Sequence, residues 1–151
     1  MSKKRKFLVS DRLFMVSAFT VVAISALVIL LTSYMAPIDE ALSQKMHEIL
    51  IGLNGVFFGF TAVMVGLFLR ESIKLTEKTL IQSLTFAMIA FWSFISSILF
   101  SFLLIGLGQD KVLVPTFAPV FITVFGAICS SVYLVMVFSD EAFPTGYKKS
   151  K

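Results

Sequence analysis

The sequence predicts an all-α integral membrane protein, with four transmembrane helices in an antiparallel up-down-up-down bundle and both termini in the cytoplasm. Three observations carry that reading. The 151 residues are 58% hydrophobic and only 15% charged, against roughly 45–50% apolar and about 25% charged in soluble domains, so too few polar residues remain to cover a water-soluble core. Four stretches lack Asp, Glu, Lys and Arg: Leu13 to Ile38, Ile49 to Leu69, Thr79 to Gln109 and Val112 to Ser139, of 26, 21, 31 and 28 residues. A helix needs about 20 residues to cross about 30 Å of hydrocarbon, so each stretch can span once and none twice. The third observation is charge sorting. The tails and second connection hold 11 Lys and Arg, the first and third connections only Lys45 and Lys111, and basic residues stay on the cytoplasmic side.

The chain divides into a basic tail over 1–12, a transmembrane domain over 13–139 and a second basic tail over 140–151. Spans fall near 13–35, 49–69, 80–106 and 115–138. The first follows Lys3, Lys4, Arg5 and Lys6. Its apolar stretch exceeds the 7–15 residues of a signal peptide and no small-x-small cleavage site follows, so it reads as an uncleaved anchor. The basic tetrad beside it is an orientation signal rather than a nucleic-acid patch.

Helix two is expected to begin outside the membrane near Pro37, which suits a first helical turn, with Asp39 and Glu40 at its positive end. The connection to helix three should be a tight turn, with Glu71, Lys74, Glu77 and Lys78 at helical neighbour spacings and Thr76 as N-cap. Helix three runs to the stop at Gly106-Leu107-Gly108. Helix four carries Pro115 and Pro119; a start at Pro115 would leave Pro119 bending its first turns. Short connections make sequence neighbours the expected spatial neighbours.

In lipid, helices associate through close backbone approach and hydrogen bonds rather than hydrophobic burial. Gly55, Gly59, Ala62 and Gly66 form one small-residue stripe on helix two, Ser93, Ser97 and Ser101 one on helix three, and Gly126 with Ser130 one on helix four. The simpler reading of these stripes is packing within the bundle; the sharper is an oligomer interface. The 17 phenylalanines are too closely spaced to share one face, so several must meet lipid or another subunit.

Much chemistry is missing. No ionisable residue lies within the four central spans, which disfavours a proton-coupled transporter that needs an embedded carboxylate. His47 is the single histidine and Cys129 the single cysteine, which argues against bis-histidine haem, a protein zinc site or a Cys-x-x-Cys redox cycle. No catalytic, cofactor-binding or metal-ligating residue is assigned, and the chain is expected not to be an enzyme. Asn54, one turn inside helix two, is the one polar residue that reads as a site, either lining a solute path or making an interhelical hydrogen bond. His47, beside Glu48 in the first connection, reads as an ordinary solvated histidine, Trp92 as a filler of the bundle and Cys129 as a packing residue.

The C-terminal Lys148-Lys149-Ser150-Lys151 resembles a di-lysine endoplasmic reticulum retrieval signal, meaningful only in a eukaryote; a basic inside tail accounts for it in any cell. These features point to a non-enzymatic structural or accessory subunit of a larger assembly in the cell membrane. Its expected partners are copies of itself or other membrane subunits, with anionic lipid at the inner face and no nucleic acid. The alternative is a small oligomeric channel or facilitator for a neutral or weakly charged solute.

Overall fold

The computed structural model describes residues 3–35, 38–71, 77–108 and 111–142, with side chains over 12–35, 38–67, 80–108 and 111–138. It is all-helical: α1 is Lys3–Thr32, α2 Glu40–Glu71, α3 Glu77–Leu107 and α4 Ala118–Ala142. All four are long and apolar enough to cross a membrane. The expected roles of Pro37, Lys74 and Thr76, and the tail after Ala142, lie outside the described residues. So do the side chains of Glu71, Glu77 and Lys78.

Helix boundaries follow local chemistry. Asp39 caps α2: its carboxylate accepts from Leu42 N at 3.3 Å and its carbonyl from Ser43 N at 2.9 Å, which satisfies amides that a helix start leaves without partners. Helix α3 ends at Gly108, whose φ of +80° suits a residue without Cβ. Helix α4 begins at Ala118 rather than Pro115. Pro119 therefore sits in the first turn, where a missing N–H breaks no helical bond and no bend is needed.

The packing keeps two of the three expected neighbour pairs, α2 with α3 and α3 with α4, and departs from the order at α1. Helices α3 and α4 make the most extensive contact, and both α1 and α2 pack on that pair rather than on each other. Seven residues separate Thr32 from Glu40. At about 3.3 Å each they reach about 23 Å, enough to cross between helices that are not adjacent when neighbouring axes lie 8–10 Å apart. The central pair is correspondingly better covered, with 39% of each apolar window buried against 17% for α1 and for α2.

Helix α1 turns one face inward: Ser17, Val21, Ser25 and Thr32 are buried. Steps of four, four and seven keep these side chains on one side. The Ser17 and Thr32 hydroxyls donate back to Phe14 and Val28 carbonyls at 2.9 and 2.7 Å. Val21 joins Ile89, Ala90, Phe94 and Cys129 in the main apolar core, and Phe14 meets Trp92 edge-on at 5.1 Å. Cys129 thus packs as its sequence suggests.

Candidate functional site: a polar seam between α2, α3 and α4

Helix α2 buries Ser43, His47, Leu50, Asn54 and Thr61. Their steps of four, three, four and seven trace the two-turn repeat of a packed helical seam. Most of the buried residues on this face are polar, and burying such a group without a hydrogen-bond partner is costly.

Asn54 is fully buried and joins all three helices. Its Nδ2 donates to Ser97 Oγ on α3 at 3.0 Å, while its Oδ1 lies 3.1 Å from Thr123 Oγ1 on α4. Ser97 Oγ and Thr123 Oγ1 are 2.8 Å apart, and both also reach the Pro119 carbonyl, at 2.8 and 2.9 Å. Each hydroxyl carries one proton. One assignment serves every group: Asn54 donates to Ser97, Ser97 to the Pro119 carbonyl, and Thr123 to the Asn54 carbonyl oxygen. The amide is thereby held at both ends, and Ser97, one of the small residues singled out on α3, is its hub.

A second rung lies two turns further along α2. Thr61 and Ser130 hydroxyls are 3.0 Å apart, and Thr61 also donates to the Phe57 carbonyl at 2.8 Å. Beyond it, Tyr133 makes a long contact of 3.5 Å to the Met64 carbonyl. All three α2–α4 pairs keep a constant offset of 69 residues, so these helices run in the same direction. Between α2 and α3, numbers fall on one helix as they rise on the other, from Asn54–Ser97 to Phe57–Phe94 and Phe58–Phe91. The Phe57 and Phe94 rings stack at 5.7 Å and separate the two polar rungs.

Ser93 is buried and returns its hydroxyl to the Ile89 carbonyl at 2.8 Å. It lies against Gly126, where a Cβ would come within 2.8 Å of Phe94 Cε1 and 3.0 Å of Ser93 Cβ. Gly126 thus lets α3 and α4 approach, as the small-residue reading of α4 expects. Ser101 is buried too, and its hydroxyl reaches no hydrogen-bond partner.

The α2 stripe behaves differently. Gly55, Gly59, Ala62 and Gly66 are all exposed. A Cβ on Gly52, Gly55, Gly59 or Gly66 would meet nothing within 4 Å. Packing of this stripe within the chain, the simpler expectation, is therefore not what the structure contains. The reason is angular. Successive residues turn by about 100°, so facing Asn54 and Thr61 inward rotates the glycines toward the surface.

His47 also departs from its reading. It is 1% exposed rather than solvated, and neither ring nitrogen has a hydrogen-bond partner. Helix α2 begins ahead of the apolar run, at Glu40, as expected, but its first turns lie against the Leu104–Gly108 end of α3 instead of standing in water. The signal that identifies it is the seven-residue interval His47, Asn54, Thr61.

An apolar groove of about 580 Å³ opens sideways between Leu53 and Phe57 of α2 and Val124, Ala127 and Ile128 of α4. Among the described residues there is no group of three or more His, Cys, Asp or Glu side chains able to hold a metal. Fold and seam together define a polytopic helical protein whose interior polar groups hold helices together. The chain matches no protein-family model, no curated protein and no solved structure.

Proposed function

We propose that the chain is a non-enzymatic membrane subunit that docks other transmembrane helices, from copies of itself or from other subunits, through the open face of α2. The observation that carries this reading is the exposed stripe of Gly55, Gly59, Ala62 and Gly66. Small residues let a partner backbone come close enough for dispersion contacts and weak Cα–H hydrogen bonds, the main attractions left in lipid. Among the described residues, nothing lies within 4 Å of a Cβ placed on Gly55, Gly59 or Gly66.

The proposed setting is the cell membrane, with up-down-up-down helices and cytoplasmic termini. Charge sorting supports that orientation: the proposed inner segments carry a net +6 and the outer connections −2. Each basic residue near an anionic surface adds about 1 kcal/mol of attraction. A facilitator working through the single chain has less support. The Asn54 amide is held at both ends, and the stacked Phe57 and Phe94 rings interrupt the seam beyond it.

The test is mass measurement after extraction from native membranes in mild detergent, repeated with Gly59→Leu. The reading expects a species heavier than the 16.7 kDa chain and at least about a tenfold loss of association in the variant, equivalent to about 1.4 kcal/mol. A strictly monomeric chain with no co-purifying partner refutes it.

A further inference from the structure

The first turns of α2 carry Glu40, Lys45 and Glu48 within nine residues. Charges at that density are too costly for hydrocarbon, so this end of the helix stands beyond its apolar run, within reach of protons from the aqueous side. It is packed nonetheless. Ser43 and His47 are buried and meet Leu104, Ile105 and Gly108 at the end of α3.

His47 is the ionisable side chain buried in that contact. It is 1% exposed, with both ring nitrogens closed to solvent and neither bonded to any described residue. A neutral ring there gives up one donor and one acceptor; a charged ring would hold two N–H donors and a full charge in the same place. Burying an ion without a partner costs far more than burying a dipole, and burial accordingly holds this ring below the ordinary histidine pKa. The neighbours offer little compensation. On α2, Asp39 accepts from Leu42 N, Gln44 bonds Glu48 at 3.4 Å on the exposed flank, and Lys45 is exposed. Helix α3 has no charged residue from Thr79 to its end, and α4 none before Asp140. Lys111, between them, is exposed, and Asp110 lies outside the described residues. Glu40 is on the face of His47, two turns ahead, and does not bond the packed ring.

We propose that this contact is an acid-released latch: protonation turns the His47 ring out of the contact toward the Glu40 carboxylate, and the Glu40–Glu48 end of α2 parts from the Leu104–Gly108 end of α3. In the open state the ring regains the ordinary value of about 6.5. The contact is therefore at full strength above that pH and weakens as pH falls through the window beneath it, down to the lower value of the packed ring. Opening takes up one proton, so the open-to-closed ratio rises by as much as about tenfold per pH unit in that window. The latch needs neither a partner on the glycine flank of α2 nor a particular orientation in the membrane.

Spin labels at two exposed positions, Leu42→Cys and Leu107→Cys, report the gap in the full chain in lipid nanodiscs, with the buried Cys129 replaced by Ala. One short distance is expected at pH 8, and a second, longer one at pH 5 with about a tenfold or greater rise in the open-to-closed ratio. His47→Leu, which has no proton to take up, should keep the short distance at both. His47 is the single histidine, so ¹⁵N-histidine labelling follows one ring, whose charge should appear together with the long distance. A distance unchanged down to pH 5 overturns the proposal, and so does a ring that charges while the short distance holds. An acid response that survives in His47→Leu also overturns it, by assigning the response to Asp39, Glu40 or Glu48. The unsubstituted ring and its distance decide the question even where that variant fails to fold.

Discussion

Two stretches of this molecule look alike in sequence and end on opposite sides of their helices. Gly55, Gly59, Ala62 and Gly66 on α2 and Ser93, Ser97 and Ser101 on α3 are both small-residue stripes at helical spacing. The serines are buried against neighbouring helices and the glycines face outward. Smallness therefore does not choose the inward face. Leaving an amide or hydroxyl unpaired in hydrocarbon is costly, so the polar residues rotate the helix and the small ones follow. On α3 the small residues are themselves polar and the two demands coincide. On α4, Gly126 lies three residues from Thr123 and four from Ser130, on the same face. On α2, Gly55 sits about 100° from Asn54; the demands conflict, and the amide prevails.

The sharpest way to break the comparison is to put the same side chain on both glycine faces. Gly126→Leu must displace Phe94 and Ser93, because even a Cβ there would come within 2.8 Å of Phe94. Overpacking of this kind costs about 1–3 kcal/mol and occasionally more, and the upper end is expected in reversible unfolding from mixed micelles. Gly59→Leu should cost less than about 0.5 kcal/mol in the monomer. Equal losses at the two sites would show that the α2 stripe is packed after all.

Asn54→Leu tests the force that rotates α2. It removes the donor to Ser97 and the acceptor for Thr123, but those two hydroxyls still reach each other and the Pro119 carbonyl. Buried interhelical hydrogen bonds in membranes average about 0.6 kcal/mol and reach about 1.7. A loss of about 1–2 kcal/mol is therefore expected, and a double-mutant cycle with Thr123→Val should return coupling energy of about 0.5 kcal/mol or more. Thr61→Val, which gives up its one interhelical bond, to Ser130, along with the bond to the Phe57 carbonyl of its own helix, should cost about 0.6 kcal/mol. A loss from Thr61→Val larger than that from Asn54→Leu would move the centre of the seam from the first rung to the second.

Helix number and class were legible in the sequence because they depend on long apolar runs, and all four runs became helices. The early start of α2 was legible too: Pro37, Asp39 and Glu40 set it ahead of the apolar run, and the helix begins at Glu40 with Asp39 as its cap. The burial of His47 was not, because that extension reads as standing in water. Neighbour order was legible for α2 with α3 and α3 with α4, but not for α1, because seven residues after Thr32 suffice to pass over an adjacent position. The site was half legible. Asn54 stands out as the amide within a span, and its interhelical hydrogen bond was one of its two readings. Its partners Ser97 and Thr123 come from helices 43 and 69 residues away, and only the fold brings them together. Ser97 was marked for its size alone, Thr123 not at all.

The smallest expected change is the most telling about the outward stripe. In Gly55→Ala and Gly59→Ala the added methyl meets nothing within 4 Å, and alanine restricts the unfolded chain more than glycine does, which stabilises by about 0.4–1 kcal/mol where the backbone is helical. The monomer should melt at the same temperature or slightly higher. If a partner helix lies across these positions, each methyl holds its backbone away and association weakens even as the monomer strengthens. Opposite signs in the two measurements mark glycines kept for contact rather than for fold. Unchanged association together with a more stable monomer would mean that the stripe faces only lipid, and the docking role proposed for α2 would fall.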